Sequence, residues 1–176
     1  MTGSYTYTFD DIRNRPVAVI GSGTLGRRIA LMFASRGGTV RMYARRAEQH
    51  AEATQYVAET LPKLLQDRGF GEIGVAVGTS SLEEALDGAW LAVESVPERL
   101  EIKIPLWGQI DQAALPDTIF ATNSSSFPSP EPVKPFETCQ AACSVSVFSF
   151  GGSLIQAASG SLGGAGLRRN RSGFAA

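Results

Sequence analysis

The stretch that decides the fold is "VAVIGSGTLGRRIA", Val17 to Ala30. Val17 to Ile20 is an apolar run without polar alternation, the pattern of a strand buried on both faces of a parallel sheet. Gly21, Gly23 and Gly26 follow with G-x-G-x-x-G spacing, and Leu25, Ile29, Met32 and Phe33 then recur as on one face of a helix that "SRGG" stops at Gly37 or Gly38. A strand running through a glycine turn into a helix opens a β-α-β unit. There Gly21 would make the tight turn, Gly23 would clear space for a pyrophosphate, and Gly26 would let helix and sheet pack closely. Ser22, Thr24 and Leu25 complete the loop, and the helix N-terminus offers free N–H groups and a partial positive charge to phosphates. The expected ligand is a nicotinamide dinucleotide, NAD or NADP. A glycine-rich turn without ligand is the alternative.

Working outward, strands and helices alternate. Thr39 to Tyr43 reads as a second strand and Ala47 to about Gln66 as a long polar helix, in which Pro62 is expected to force a kink or break at a cost of roughly 3 kcal/mol. Gly74 to Thr79 is a third strand, followed by Ser81 and Glu84 at capping-box spacing before a short helix. Trp90 to Val96 is a fourth strand, Glu98 to Ala114 a helix bent near Pro105, and Thr118 to Asn123 a fifth strand. Repeated units of this length predict an α/β fold, a Rossmann-type doubly wound parallel sheet with right-handed crossovers. After Asn123 the pattern stops: "SSSFPSPEPVKPF" carries four prolines, and beyond Phe150 the chain is mostly Gly, Ser and Ala. Residues 1–14 are expected to be an N-terminal extension, 15–137 the single dinucleotide-binding domain, and 138–176 a low-complexity, disordered tail that cannot bury enough apolar surface to offset its ordering entropy.

Composition narrows the partners. A formal charge of -1 in 176 residues gives no reason to expect nucleic acid or an anionic membrane. The start, "MTGSYTYTFDDIRNR", has no apolar core for a secretory signal or a membrane span, and "SGFAA" is not a peroxisomal tripeptide. An intracellular, cytoplasmic setting is expected. Cys139 and Cys143, with His50 far upstream, give no metal-ligand set and read as reduced cysteines.

The second strand ends unusually. An NAD site carries an Asp or Glu there, about 20 residues beyond the glycines, to hold the ribose hydroxyls. This chain has "MYARR", with Ala44 at the carboxylate position and Arg45 and Arg46 after it. Two guanidinium groups would attract a 2'-phosphate, each charge-assisted hydrogen bond being worth about 1.5 to 3 kcal/mol before screening. The site is thus expected to tolerate or prefer NADP(H); a solvated basic loop, with Glu48 reaching the ribose, is the alternative.

"AWLAVESVPERLEIKIPLWGQIDQAALPDTIFATNSSS", Ala89 to Ser126, is more specific than the glycines. It holds Glu94 and Glu98 as E-x-V-x-E, then Lys103, then a strand running into "TNSSS". With "RPVAVIGSGTLGRRIA" it resembles the N-terminal domain of the 3-hydroxyacyl-CoA dehydrogenase family, over Arg15 to Ser126. The resemblance implies NAD(P)-linked oxidation of a 3-hydroxyacyl-CoA to the 3-oxo form, in fatty acid metabolism. It implies that Glu98 and Lys103 lie near the nicotinamide ribose, that Asn123 is a cofactor-binding residue, and that Ser125 is the catalytic serine bonding the substrate's 3-oxygen. Read without the family, Ser124 to Ser126 would be a turn bonding local backbone and Glu98 and Lys103 a solvated helix face.

Other family features have no counterpart. The family uses a histidine downstream of the serines as proton acceptor. The matching region, "CQAACSVSVFSFGGSLIQ", has none, and His50 is expected to be a solvated helix residue at the adenosine end. Family members continue into a helical domain that completes the acyl-CoA cleft and the dimer interface. The expectation is accordingly a fragment, from a truncated or misread gene product, whose turnover is open. The rivals are a non-catalytic dinucleotide-binding module or inert remnant, and a dehydrogenase of a small hydroxy acid or sugar acid. Expected partners are the dinucleotide, an acyl-CoA, and a second copy through the sheet face where the helical domain would pack.

Overall fold

The computed structural model describes residues 8–123 and two further strands, 142–146 and 156–158. Ser125 and the rest of the proline-rich segment lie outside the described residues. The elements are α1 (Phe9–Asn14), β1 (Val17–Ile20), α2 (Thr24–Ala34), β2 (Thr39–Tyr43), α3 (Ala47–Arg68), β3 (Val75–Thr79), α4 (Leu82–Leu86), β4 (Leu91–Glu94), α5 (Leu100–Ala113), β5 (Ile119–Thr122), β6 (Ala142–Ser146) and β7 (Gln156–Ala158).

The sheet order is β3-β2-β1-β4-β5-β6-β7, parallel from β3 through β6, with β7 antiparallel to β6. The chain builds outward from β1 on one side, then returns to place β4 and β5 on the other. The carboxyl ends of β1 and β4 therefore lie side by side where the winding reverses, the position at which open α/β sheets bind ligands.

The lack of alternation in β1 and β4 has a direct cause: all residues of both strands are buried. Val17 and Val19 join a core with Val40, Met42 and the apolar sides of α2 and α3, while Ala18 and Ile20 join a second core with α4 and α5. At the opposite end of the strands, Arg15 donates to the carbonyls of Gly88 and Ala89 and to Asp117, tying together the starts of β1, β4 and β5. The edge strand β3 is covered unevenly. Ala76 packs against the first core, whereas Val75 and Val77 stay exposed.

The structure adds to the sequence reading at several places. Pro62 does not break α3, which runs unbroken from Ala47 to Arg68 and ends on Gly69 in the left-handed region at φ 70. Packing overrides propensity here: Ala53, Val57 and Leu61 are buried against the sheet while the proline ring is exposed. Pro105 likewise lies within a continuous α5. The capping box is only half formed. Ser81 Oγ accepts from the Glu84 amide at 3.1 Å, but the Glu84 carboxylate accepts from the Thr79 hydroxyl, whose oxygen accepts from the Ser81 amide at 3.0 Å. Within the stretch expected to be a tail, 142–146 and 156–158 are strands that extend the sheet beyond β5. The unpaired N–H and C=O row of an edge strand recruits backbone whatever its side chains, so composition gives little warning of such strands.

Replacing the exposed, mid-helix Pro62 with Ala restores a helical N–H donor, and Pro62→Ala is expected to stabilise the protein by about 1–3 kcal/mol in urea unfolding. An unchanged or lower midpoint would show that the pyrrolidine ring contributes to packing.

Candidate functional site

The glycine turn is held by backbone contacts at the reversal point of the sheet. Gly21 has φ +115, and a Cβ there would lie 2.6 Å from the Ser95 carbonyl oxygen. Its amide donates to the Tyr43 carbonyl at 2.9 Å, and the Ser95 amide donates to the Ile20 carbonyl at 2.8 Å, so the ends of β1, β2 and β4 are joined there. A Cβ on Gly26 would fall 2.0 Å from the Gly21 carbonyl oxygen, because α2 sits directly on the turn. Gly23 is different. Among the described residues no atom lies within 4 Å of a Cβ built on it, and its φ of -67 suits any residue. The protein's own packing does not require that glycine, whereas a pyrophosphate against the loop would.

The N-terminus of α2 matches this. Gly23 is its N-cap, no side chain caps it, and no acidic residue occupies its first turn. Ser22 is half-buried, and Thr24 and Leu25 are exposed, so the loop from Gly21 to Gly26 presents backbone N–H groups and a positive dipole end without a competing carboxylate. These residues fit the phosphates of a dinucleotide. Arg27, next in α2, stacks 4.7 Å over the Tyr56 ring.

Beyond β2, Ala44 is buried and its amide donates to the Thr79 carbonyl at 3.2 Å, while Arg45 and Arg46 are exposed. Neither arginine forms an ion pair among the described residues. Arg46 is the N-cap of α3, and Glu48 occupies its first turn.

The far side of the cleft is built on Glu94, at the end of β4. Its carboxylate accepts from Lys103 Nζ at 2.9 Å, from Thr122 Oγ1 at 2.6 Å and from the Val96 amide at 2.7 Å. The Glu94 and Lys103 side chains are each 1% exposed. Lys103 also lies 3.4 Å from Glu98 Oε1, and Glu98 is 40% exposed, so the pair expected near the nicotinamide ribose is brought together with only the carboxylate reaching solvent. A solvated helix face is excluded for Lys103. Asn123 is half-buried, and its amide donates to the Glu94 carbonyl at 2.9 Å. Glu101, in the first turn of α5, has its carboxyl held below the usual range by a backbone hydrogen bond and then by Arg99.

Sequence reasoning used Glu94 only as a motif letter and omitted Thr122. The signal was a hydroxyl at the end of β5 in register with an acid at the end of β4, Glu94 opposite Thr122. His50 is not in the cleft. It is half-buried on α3 against Gly78, where a Cβ would meet its Nδ1 at 2.3 Å, and its Nε2 lies 3.3 Å from Ser80 Oγ. His50 is thus a partly exposed helix residue, one side of its ring resting on β3.

A family model described as "3-hydroxyacyl-CoA dehydrogenase, NAD binding domain" matches residues 16–140. The lambda-crystallin homolog of Bos taurus is 37% identical over 117 residues, 62% of this chain and 36% of that protein. The 3-hydroxyadipyl-CoA dehydrogenase of Escherichia coli is 35% identical over 123 residues, 65% of this chain and 25% of that protein. The chain thus spans about a third or less of the length of these curated relatives. Among solved structures, 5-formyl-3-hydroxy-2-methylpyridine 4-carboxylic acid 5-dehydrogenase, described as an NAD+-dependent dismutase, superposes with a TM-score of 0.67 at 26% identity, over 75% of this chain and 44% of that one.

Breaking a buried ion pair from one side leaves an uncompensated charge. Lys103→Met is therefore expected to cost about 3–5 kcal/mol. Adding Glu94→Gln to it is expected to recover much of that loss, measured by a double-mutant cycle in urea. A purely additive cycle would show that the two groups do not depend on each other.

Proposed function

The chain belongs to the 3-hydroxyacyl-CoA dehydrogenase family, whose NAD-binding domain it carries at residues 16–140, and from that membership we propose that it forms the cofactor half of an NAD(P)-linked conversion between a 3-hydroxyacyl-CoA and its 3-oxo form. The observation that carries the proposal is the division among the three glycines: Gly21 and Gly26 are closed off by the protein's own backbone, and Gly23 opens on empty space at the reversal of the sheet. When bound, the dinucleotide supplies hydride exchange at its nicotinamide ring. The chain's residues do the rest. The amides from Ser22 to Gly26 hold the pyrophosphate, Arg45 and Arg46 meet the adenosine end, and Glu98 and Asn123 hold the nicotinamide half in place, with buried Lys103 positioning Glu98 from behind. Ser125, read from its motif, bonds the 3-oxygen of the substrate, and its hydroxyl can both donate and accept.

A second reading, a dinucleotide-binding module without turnover, is favoured by one observation. The sequence holds a single histidine, and His50 is packed against β3 rather than placed at the cleft. A third, action on an alcohol that is not a thioester, draws support from the structural relative whose name specifies a pyridine carboxylate. The proposal sets the chain in the cytoplasm; no helix among the described residues is long and apolar enough to cross a membrane. It also includes self-association of two copies along the β3 edge, where Phe70, Ile73, Val75 and Val77 are exposed. That location differs from the uncovered sheet face expected from the sequence.

Titration with NADH, followed by fluorescence, tests binding, and acetoacetyl-CoA with reduced cofactor tests turnover. Binding with turnover supports the dehydrogenase reading, binding without it supports the module, and turnover of a non-thioester ketone alone supports the third. Gly23→Ala is expected to leave the unfolding midpoint unchanged and to weaken NADH binding by about tenfold or more, roughly 1.4 kcal/mol. Unchanged affinity in that variant would remove the pyrophosphate from the loop. Sedimentation of Val77→Lys beside the parent chain tests the β3 edge, with the charged variant expected to stay monomeric at higher concentration.

A further inference from the structure

The end of β2 departs from what an NAD site needs, and the departure is built into the fold. An NAD-selective site holds a carboxylate here, which accepts the ribose hydroxyls and repels a 2'-phosphate. At this position the chain has Ala44, buried at 6% exposure, whose methyl can neither accept nor repel. The backbone places it at the cleft: the Tyr43 carbonyl accepts from the Gly21 amide, and the Ala44 amide donates to Thr79. Arg45 and Arg46 follow directly, both exposed and both without an ion pair among the described residues.

Arg41 in β2 and Arg27 in α2 are engaged: Arg41 donates to the carbonyls of Glu84 and Asp87, and Arg27 lies over Tyr56. Acids close to the end of β3 are engaged as well, Glu84 by the Thr79 hydroxyl and Glu83 by the Ser81 hydroxyl. The carboxylate remaining at the start of α3 is Glu48, set against two guanidinium groups.

We propose that this site prefers the 2'-phosphorylated dinucleotide, NADP(H), over NAD(H), with Arg45 and Arg46 as the residues that determine the choice. The proposal rests on the nucleotide-binding reading above and deepens it. The phosphomonoester brings nearly two negative charges and three acceptor oxygens, which a guanidinium fork matches in shape and sign. The unphosphorylated ribose offers hydroxyls, which need an acceptor that Ala44 does not supply.

The test is a parallel titration of the full chain with NADPH and NADH at low and high salt. NADPH is expected to bind about tenfold or more tightly at low salt, with the ratio shrinking as salt screens the exposed arginines. In the variant Arg45→Gln with Arg46→Gln the NADPH-to-NADH affinity ratio is expected to fall by about tenfold, and Ala44→Asp is expected to invert the preference. Circular dichroism confirms that each variant is folded. Equal or tighter binding of NADH by the parent chain, or a ratio unmoved by the arginine variant, overturns the proposal and leaves the nucleotide site standing. Binding of neither nucleotide overturns the reading on which it rests.

Discussion

The carboxylate of Glu94 is the fixed point of the carboxyl edge of the sheet. It is buried, yet charged, and a buried charge is tolerated only when its lone pairs are satisfied. Three donors from three segments do so: Lys103 from α5, Thr122 from β5 and the Val96 amide from the loop between β4 and α5. The network therefore does more than neutralise an acid. It fixes where α5 begins and which way the chain leaves β4. Ser95 sits within that loop, its amide held by Ile20 and its carbonyl pressed against Gly21. The glycine turn takes its shape from a neighbour that Glu94 holds in place, so an ion pair inside the protein sets the geometry of a loop that faces solvent.

This arrangement separates what the glycines do for the fold from what they do for a ligand. Gly21 and Gly26 are required by contacts with backbone atoms, which cannot move aside as a flexible side chain would. Loss of either would strain the protein whether or not a nucleotide were present. Gly23 has an ordinary φ and empty surroundings. Its small size has meaning only against something outside the chain, and that is why it points to a ligand while its two neighbours point to packing.

Much of this was legible in the sequence, and the exceptions share a physical reason. β1 and β4 were readable because burial on both faces leaves an apolar signature in the chain itself, most plainly in Val17 to Ile20. The Ser81 cap was readable because its partner is three residues away. The continuity of α3 through Pro62 was not, because the decision lies with Ala53, Val57 and Leu61 packing on the sheet rather than with local propensity. Nor was the role of Glu94, since a Lys and a Glu nine residues apart read as surface charges until the fold turns both inward. The strands β6 and β7 were missed for a related reason: sheet-edge pairing is a backbone transaction that their Ser- and Ala-rich composition does not advertise.

The two charged features of the cleft stand on opposite sides of β1, and the topology sets their separation. The Glu94 network belongs to β4, β5 and α5, while Ala44, Arg45 and Arg46 follow β2; β1 lies between them, so the two sets are two strand spacings apart, about 9.6 Å. They meet through the glycine turn, where the Gly21 amide donates to the Tyr43 carbonyl and Gly21 lies against Ser95. The first set is buried and holds the fold; in the second, Ala44 is buried, while Arg45 and Arg46 are exposed and form no ion pair among the described residues. The charge carried by Arg45 and Arg46 can therefore differ without breaking a contact of the Glu94 network. A sheet of this kind can keep one mode of gripping a dinucleotide while the residues at the end of β2, which meet its adenosine end, differ.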